Sequence, residues 1–128
     1  MADYTKLELT AVYSKNSDYS APKVKMAPAA FTLTPDEYFH VEVEADTSGG
    51  TTITTSILNS ATLLVVKNND ATNYVTATFD SAGNGSQDNL VRIAAGGVLA
   101  TTDFTVAQNL KLVANSAACE CEVFIVGT

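Results

Sequence analysis

The residues of this chain that could do chemistry are few, and the first to consider are alternating acids beside the single histidine. His40 is followed by Glu42 and Glu44 at every second position, and alternation places all three side chains on one face of a strand. Paired carboxylates can hydrolyse glycosides, and a histidine can serve a Ser-His-Asp triad. A solvated strand face explains the same pattern, which Glu120 and Glu122 repeat. We therefore predict no catalytic residue.

Nucleotide and nucleophile motifs do not occur in the sequence. It contains no G-x-S-x-G elbow, no Walker loop and no G-x-G-x-x-G turn. It also contains no tryptophan, the residue that most often builds a platform for sugars. The sequence predicts a protein that is not an enzyme and that binds no cofactor.

Cys119 and Cys121 occupy alternate positions of a predicted strand. Such residues lie about 6.5–7 Å apart on one face, whereas a disulfide needs Cβ atoms about 3.5–4.5 Å apart. We expect the two thiols to be unbridged and packed in the core of a protein from a reducing compartment. A metal site would need more ligands than these and one histidine provide.

The loop 80–88 has part of the pattern of a calcium-binding loop. Asp80, Asn84 and Gly85 match its first, fifth and sixth positions, but Ala82 and Val91 stand where ligands are needed. We predict a hairpin loop and no metal site.

The net charge and the lengths of the apolar runs indicate which classes of partner this chain should not bind. The net charge is −7, with 7 basic and 14 acidic residues, and an acidic surface repels phosphate backbones. Residues 1–35 nevertheless carry four lysines against three acids. The longest strongly apolar run, 63–66, is far shorter than the ~20 residues of a membrane helix. We predict no nucleic-acid partner, no membrane partner and synthesis in a cytoplasm.

The elements that would position these side chains are strands, because apolar residues recur with period two and no stretch has a helical period. Turn signals separate the runs about every 8–12 residues, which is typical of a sandwich or barrel. We predict an all-β fold: an antiparallel β-sandwich, jelly-roll-like, in a single domain over 1–128. The predicted strands are 6–14, 37–45, 51–58, 61–67, 73–79, 89–95, 98–100, 104–107, 109–114 and 118–126.

The stretch 15–35 is predicted to be an irregular N-terminal arm or long loop, because it holds all three prolines and proline removes ladder donors. Its basic excess could dock on an acidic neighbour, although chance solvation of a loop explains it equally simply. Our hypothesis is that this arm contacts a binding partner or a neighbouring subunit. The predicted contact residues are Lys15, Pro22, Lys23, Lys25 and Pro28.

Three stretches of the second half resemble small structural proteins of tailed bacteriophages. They are LLVVKNNDATNYV at 63–75, VRIAAGGVL at 91–99, and LKLVANSAA at 110–118 leading into CEVFIVG at 121–127. Within that group, capsid decoration or cement proteins are most similar in size. The resemblance implies a β-sandwich assembled as a homotrimer, a location in the virion, and the major capsid protein or other virion proteins as partners. Our hypothesis is therefore that the arm at 15–35 contacts the capsid or a neighbouring subunit, and that its deletion abolishes particle binding while the sandwich stays folded.

Two alternatives stay open. One is a tail, neck or fibre-associated virion protein, which the symmetry of the purified oligomer and its binding to empty capsids would separate from a decoration protein. The other is a ligand-binding, carbohydrate-binding-like β-sandwich module, for which we expect monomers with an exposed aromatic platform. Polar positions rich in Thr, Ala, Asn, Ser and Gly suit any adhesive role, since short side chains lose little entropy in a contact.

Overall fold

A computed structural model describes residues 5–8, 11–13, 24–26, 31–33, 37–53, 61–80, 89–102 and 109–127. Within those ranges the chain forms twelve strands and no helix, so the all-β prediction is confirmed. No helix long and apolar enough to cross a membrane occurs among these residues. The predicted strand 104–107 lies outside them.

The chain divides into two compact units, 1–35 and 36–128. The division follows Pro35, the last residue of the stretch predicted to be an arm. The assignment of one domain to 1–128 stays a prediction.

The first unit consists of short antiparallel pairs. Strand β1 (Thr5–Leu7) pairs with β4 (Phe31–Leu33), and β2 (Ala11–Tyr13) pairs with β3 (Val24–Met26). The single strand predicted over 6–14 is therefore wrong, because β1 and β2 belong to different sheets. Strands β3 and β4 lie within the predicted arm, so that stretch is not irregular throughout.

The second unit is a β-sandwich of two four-stranded antiparallel sheets. The first sheet has the order β10-β7-β12-β5, and the second has the order β6-β11-β8-β9. The jelly-roll topology stays a prediction. The strands are β5 (Glu37–Ala45), β6 (Thr51–Ile53), β7 (Ala61–Asn68), β8 (Val75–Asp80), β9 (Asn89–Ile93), β10 (Val98–Thr101), β11 (Asn109–Ala114) and β12 (Cys119–Gly127).

Alternation along each strand builds the core between these sheets. On β12 the predicted core residues Cys119 and Cys121 are at most 1% exposed, as are Val123 and Ile125 on the same face. They belong to one hydrophobic cluster with buried residues of the facing sheet, such as Leu112. Each fully buried Val, Leu or Ile contributes about 1.5–3 kcal/mol, so hydrophobic burial is the main force that holds the sheets together.

A tight turn at Ala94–Gly97 carries the chain from the second sheet to the first. The amide of Gly97 donates to the carbonyl oxygen of Ala94 at 2.8 Å. Gly96 has a φ of +71°, which glycine adopts without steric cost. The strands on either side of this turn lie in different sheets rather than in one hairpin.

Candidate interaction face

The side chains that could take part in catalysis or binding lie together on the solvent side of the first sheet. Strand β5 pairs with β12 along its whole length, and the register places Glu42 opposite Glu122 and Glu44 opposite Glu120. We term this surface the outer face. It comprises Tyr38, His40, Glu42 and Glu44 of β5, Glu120, Glu122 and Phe124 of β12, Val65 and Lys67 of β7, and Val98 and Ala100 of β10.

One half of the outer face is acidic. Like charges directly opposite each other destabilise a sheet, and this half holds two such glutamate pairs. At Glu122, neighbouring polar side chains partly compensate for the repulsion between the paired carboxylates. The amide Nδ2 of Asn69 donates to its carboxylate at 3.2 Å, and His40 Nε2 lies 3.3 Å from its other oxygen. These two hydrogen bonds, with the charge of Lys67, hold the pKa of Glu122 below its usual value.

The other half of the outer face is aromatic. Tyr38 is 70% exposed, and its ring centroid lies 6.5 Å from that of Phe124. The imidazole of His40 meets Phe124 edge-on, with centroids 6.2 Å apart. Val98, on the far strand of the same sheet, is 55% exposed. Aromatic rings of this kind contribute most of the energy in many protein interfaces.

The surroundings of Glu122 do not suit it to donate a proton near neutral pH. A glycosidase needs one carboxyl group whose pKa is raised, so that it can donate a proton near neutral pH. Hydrogen bonds lower the pKa of Glu122, which is the opposite direction. In the part of the chain that the structure describes, no three His, Cys, Asp or Glu side chains lie close enough together to hold a metal ion. The arrangement suits contact with a partner that carries apolar and basic groups.

Sequence reasoning predicted the content of the outer face but not its assembly. His40, Glu42 and Glu44 share one exposed side of β5, as predicted. The pairing of β5 with β12 was not predicted, because two strands with the same alternation give no indication that they are neighbours. The aromatic half was missed for the same reason, since Tyr38 and Phe124 are distant in sequence.

The residues predicted to contact a capsid or subunit lie in the first unit. Lys25 is in β3, where it pairs with Val12 of β2. The other four residues lie outside the described residues: Lys15, Pro22, Lys23 and Pro28. Residues 81–88 of the calcium-like loop lie outside them too.

The second sheet has a smaller exposed surface on its edge strand β9. Leu90 is 68% exposed and Val91 is 38% exposed. The guanidinium of Arg92 lies 4.6 Å from the ring centroid of Tyr74, a cation–π contact that fixes the long arginine side chain. Among the residues that the structure describes near β9, the polar contact is thus one arginine against one aromatic ring, which differs from the glutamate pairs of the outer face.

Comparisons with protein-family models, with curated proteins and with solved structures found no match. The resemblance to structural proteins of tailed bacteriophages therefore stays a prediction.

Proposed function

We propose that this chain is a non-enzymatic structural protein of a bacteriophage particle and that it decorates or cements the capsid. The observation that carries the adhesive role is the outer face, where the exposed Tyr38 and Val98 lie on the same sheet as two glutamate pairs. The location in a virion rests on the resemblance of 63–75, 91–99 and 110–127 to phage structural proteins.

The two halves of the outer face would act differently in such a contact. Burying the aromatic half supplies affinity, because each square ångström of apolar surface removed from water contributes about 25 cal/mol. The acidic half supplies specificity, because Glu42 and Glu44 favour basic groups of the shell and repel acidic ones. A capsid lattice presents many copies of each contact, so individually weak contacts suffice. The proposed partners are the major capsid protein and further copies of this chain, with a trimer as the form that the resemblance implies.

The decisive experiment is quantitative mass spectrometry of intact particles that contain this chain. We expect a copy number comparable to that of the major shell protein. A few copies per particle would instead identify a tail, neck or fibre component, and absence from particles would contradict the proposal altogether.

A second experiment tests the surface that is used. Tyr38→Ser and Val98→Ser should each weaken binding of the full chain to empty capsids, by about tenfold for a central contact. Leu90→Ser is the matched control, because Leu90 is similarly exposed, at 68%, on the other sheet. Equal binding by all three variants would contradict a role for the outer face.

The predicted arm is tested by reversing its charge. The triple variant Lys15→Glu, Lys23→Glu, Lys25→Glu keeps the chain length and should bind capsids more weakly. Lys111→Glu changes a charge on β11 of the second sheet that belongs to neither the arm nor the outer face, and it should not weaken binding. Undiminished binding by the triple variant would remove the arm from the contact.

One observation favours a carbohydrate-binding module as the second candidate. The ring of Tyr38 is 70% exposed on a sheet surface beside polar groups, which is how sugars are often stacked. A glycan array would show a specific ligand, and Tyr38→Ala would abolish that binding while the chain remained folded.

A further inference from the structure

Strand β5 is the longest edge strand in the described part of the sandwich. It spans nine residues, compared with five for β9 and four for β10. Among the described strands only β12 pairs with it. Its inward side chains Phe39, Val41 and Val43 are only partly buried, as expected for a strand with one open side. A long open edge is a template for pairing with another chain.

The side-chain and backbone contacts identify which groups of β5 point to that open edge. The carbonyl oxygen of Glu44 accepts the hydroxyl of Thr51 at 2.8 Å, so it points away from β12. On β12, the carbonyl of Glu120, opposite Glu44, points away from β5 to the amide of Asn69 at 2.9 Å. Backbone groups alternate along a strand. The N–H and C=O groups of His40 and Glu42 therefore also face the open edge.

We infer that β5 pairs antiparallel with β5 of a second copy about a two-fold axis at Val41. In this register His40 lies opposite Glu42 of the second copy. Both residues have their N–H and C=O groups at the open edge, so the two can form backbone hydrogen bonds with each other across the interface. The inward residues Phe39 and Val43 also lie opposite each other, which extends the apolar core across the interface.

Charge selects this register over its neighbours. An axis at Glu42 would place that carboxylate opposite its own copy, and an axis at Val43 would place Glu42 opposite Glu44. Both arrangements set like charges face to face. An axis at His40 would place two imidazoles together and would set Glu42 opposite Tyr38, so no imidazole would lie opposite a carboxylate. An axis at Glu42 would also place His40 opposite Glu44, but only the axis at Val41 lets the imidazole meet a carboxylate without setting two carboxylates directly opposite each other.

The pairing goes beyond the proposed function, because it follows from the open edge and its charges and not from any virion. It joins the first sheets of two copies into one continuous sheet and brings their outer faces side by side. A two-fold contact holds only two chains, so a trimer would have to use another surface.

Proline substitution tests the backbone part of the pairing. The N–H of Glu42 faces the open edge, so Glu42→Pro removes a donor from the interface and none from the β5–β12 ladder. We expect sedimentation equilibrium to show a dimer for the wild type, a dimer weakened a few-fold for Glu42→Ala, and a monomer for Glu42→Pro. A monomeric wild type, or an oligomer that Glu42→Pro leaves unchanged, would overturn the inference. A trimer that Glu42→Pro leaves unchanged would overturn the β5 pairing but would still be compatible with a decoration protein.

Cross-linking tests the register without relying on proline. At the axis, the two Val41 residues form a non-hydrogen-bonded pair with Cα atoms about 4.5 Å apart, within the range of a disulfide. Mild oxidation should therefore link Val41→Cys into a covalent dimer. Phe39→Cys is the control, because its two copies would lie about 13 Å apart along the strands. Its neighbour on β12 is Ile125, so no native thiol lies opposite it. Cross-linking of both variants alike, or of neither, would contradict the register.

Discussion

The side-chain amide nitrogen of Asn68 lies 3.1 Å from the carbonyl oxygen of Ala94, and this contact links the two sheets. Asn68 ends β7 of the first sheet, and Ala94 follows β9 of the second. The same nitrogen donates to the carbonyls of Asn73 at 2.9 Å and Ile93 at 3.3 Å. The side-chain oxygen accepts the amide of Asp70 at 3.0 Å. One fully buried side chain thus satisfies four backbone groups.

Replacing Asn68 should be costly. Asn68→Ala removes the side-chain donor to the carbonyls of Asn73 and Ile93 and leaves the carbonyl of Ala94 with the amide of Gly97 alone. We expect a loss of about 2–3 kcal/mol in the free energy of unfolding. Asn68→Asp should lose more, because it sets a carboxylate against carbonyl oxygens. Asn69→Ala is the matched control, since Asn69 is exposed and contacts Glu122. Urea titration measures all three, and equal losses for Asn68→Ala and Asn69→Ala would contradict the linking role.

Two adjacent glycines in the turn after β5 should differ in their tolerance of alanine. Both have positive φ, +77° at Gly49 and +70° at Gly50. A Cβ on Gly49 would meet nothing within 4 Å, whereas one on Gly50 would lie 2.8 Å from the carbonyl oxygen of Leu112. We expect Gly49→Ala to cost about 1–2 kcal/mol, the price of a left-handed residue. Gly50→Ala should cost about 1–3 kcal/mol more because of the clash.

Thermal unfolding of the two glycine variants makes this comparison directly. Because both substitutions add the same methyl group to the same turn, their difference isolates the contact with β11. A variant pair with the same midpoint would show that the turn relaxes away from Leu112.

Local patterns allowed most strands to be predicted. The bounds of β5 and β11 agree with the sequence prediction, because alternation and turn residues act over a few positions. The error at 6–14 arose because alternation continues across the residues between β1 and β2, and only their different partners separate them.

Long-range relationships could not be predicted in the same way. Asn68 is followed by Asn69 and Asp70, and a run of such residues usually lies in a turn at the surface. The burial of Asn68 therefore had no local signal in the sequence. The strand order of both sheets likewise depends on packing between distant segments. The acidic half of the outer face follows from that order, since it forms only when β5 meets β12.

Replacing one glutamate of the pair at the end of the outer face should increase the stability of the protein. Glu44 lies directly opposite Glu120, so Glu44→Lys converts a repulsion into an attraction. The variant should be more stable than the wild type in low salt, by less than about 1 kcal/mol because the site is exposed. The gain should shrink in high salt as the charges are screened. Glu44→Gln, which removes only the repulsion, should gain less, and a gain that is insensitive to salt would contradict the electrostatic explanation.

Acid should weaken the turn that follows β7. The backbone amides of Asn73 and Thr72 donate to Asp70 Oδ1 at 2.6 and 2.8 Å, and these bonds hold the pKa of Asp70 below its ordinary value of 3.8. A lowered pKa in the folded state means stability that is present above 3.8 and lost as the pH falls through the folded value. Asp70→Asn keeps an acceptor but does not titrate. The stability advantage of the wild type over Asp70→Asn should therefore decline below about pH 4.

Urea midpoints measured from neutral pH down to about pH 3 would reveal that decline. Glu122, whose pKa is also lowered, is present in both proteins and cancels in the comparison. An advantage that stays constant over this range would show that the charge of Asp70 does not stabilise the turn.

The two thiols should be inert until the sandwich opens. Cys119 and Cys121 are free and buried, and burial raises the pKa of Cys121 to about 11. At about pH 8 only roughly one molecule in a thousand would carry the reactive thiolate there, and packing blocks access to it. A thiol reagent should therefore modify Val98→Cys rapidly at its new exposed thiol, and should reach the native pair only after urea unfolding. Rapid reaction of the native pair in the folded wild type would show that the core opens at β12 far more readily than its burial indicates.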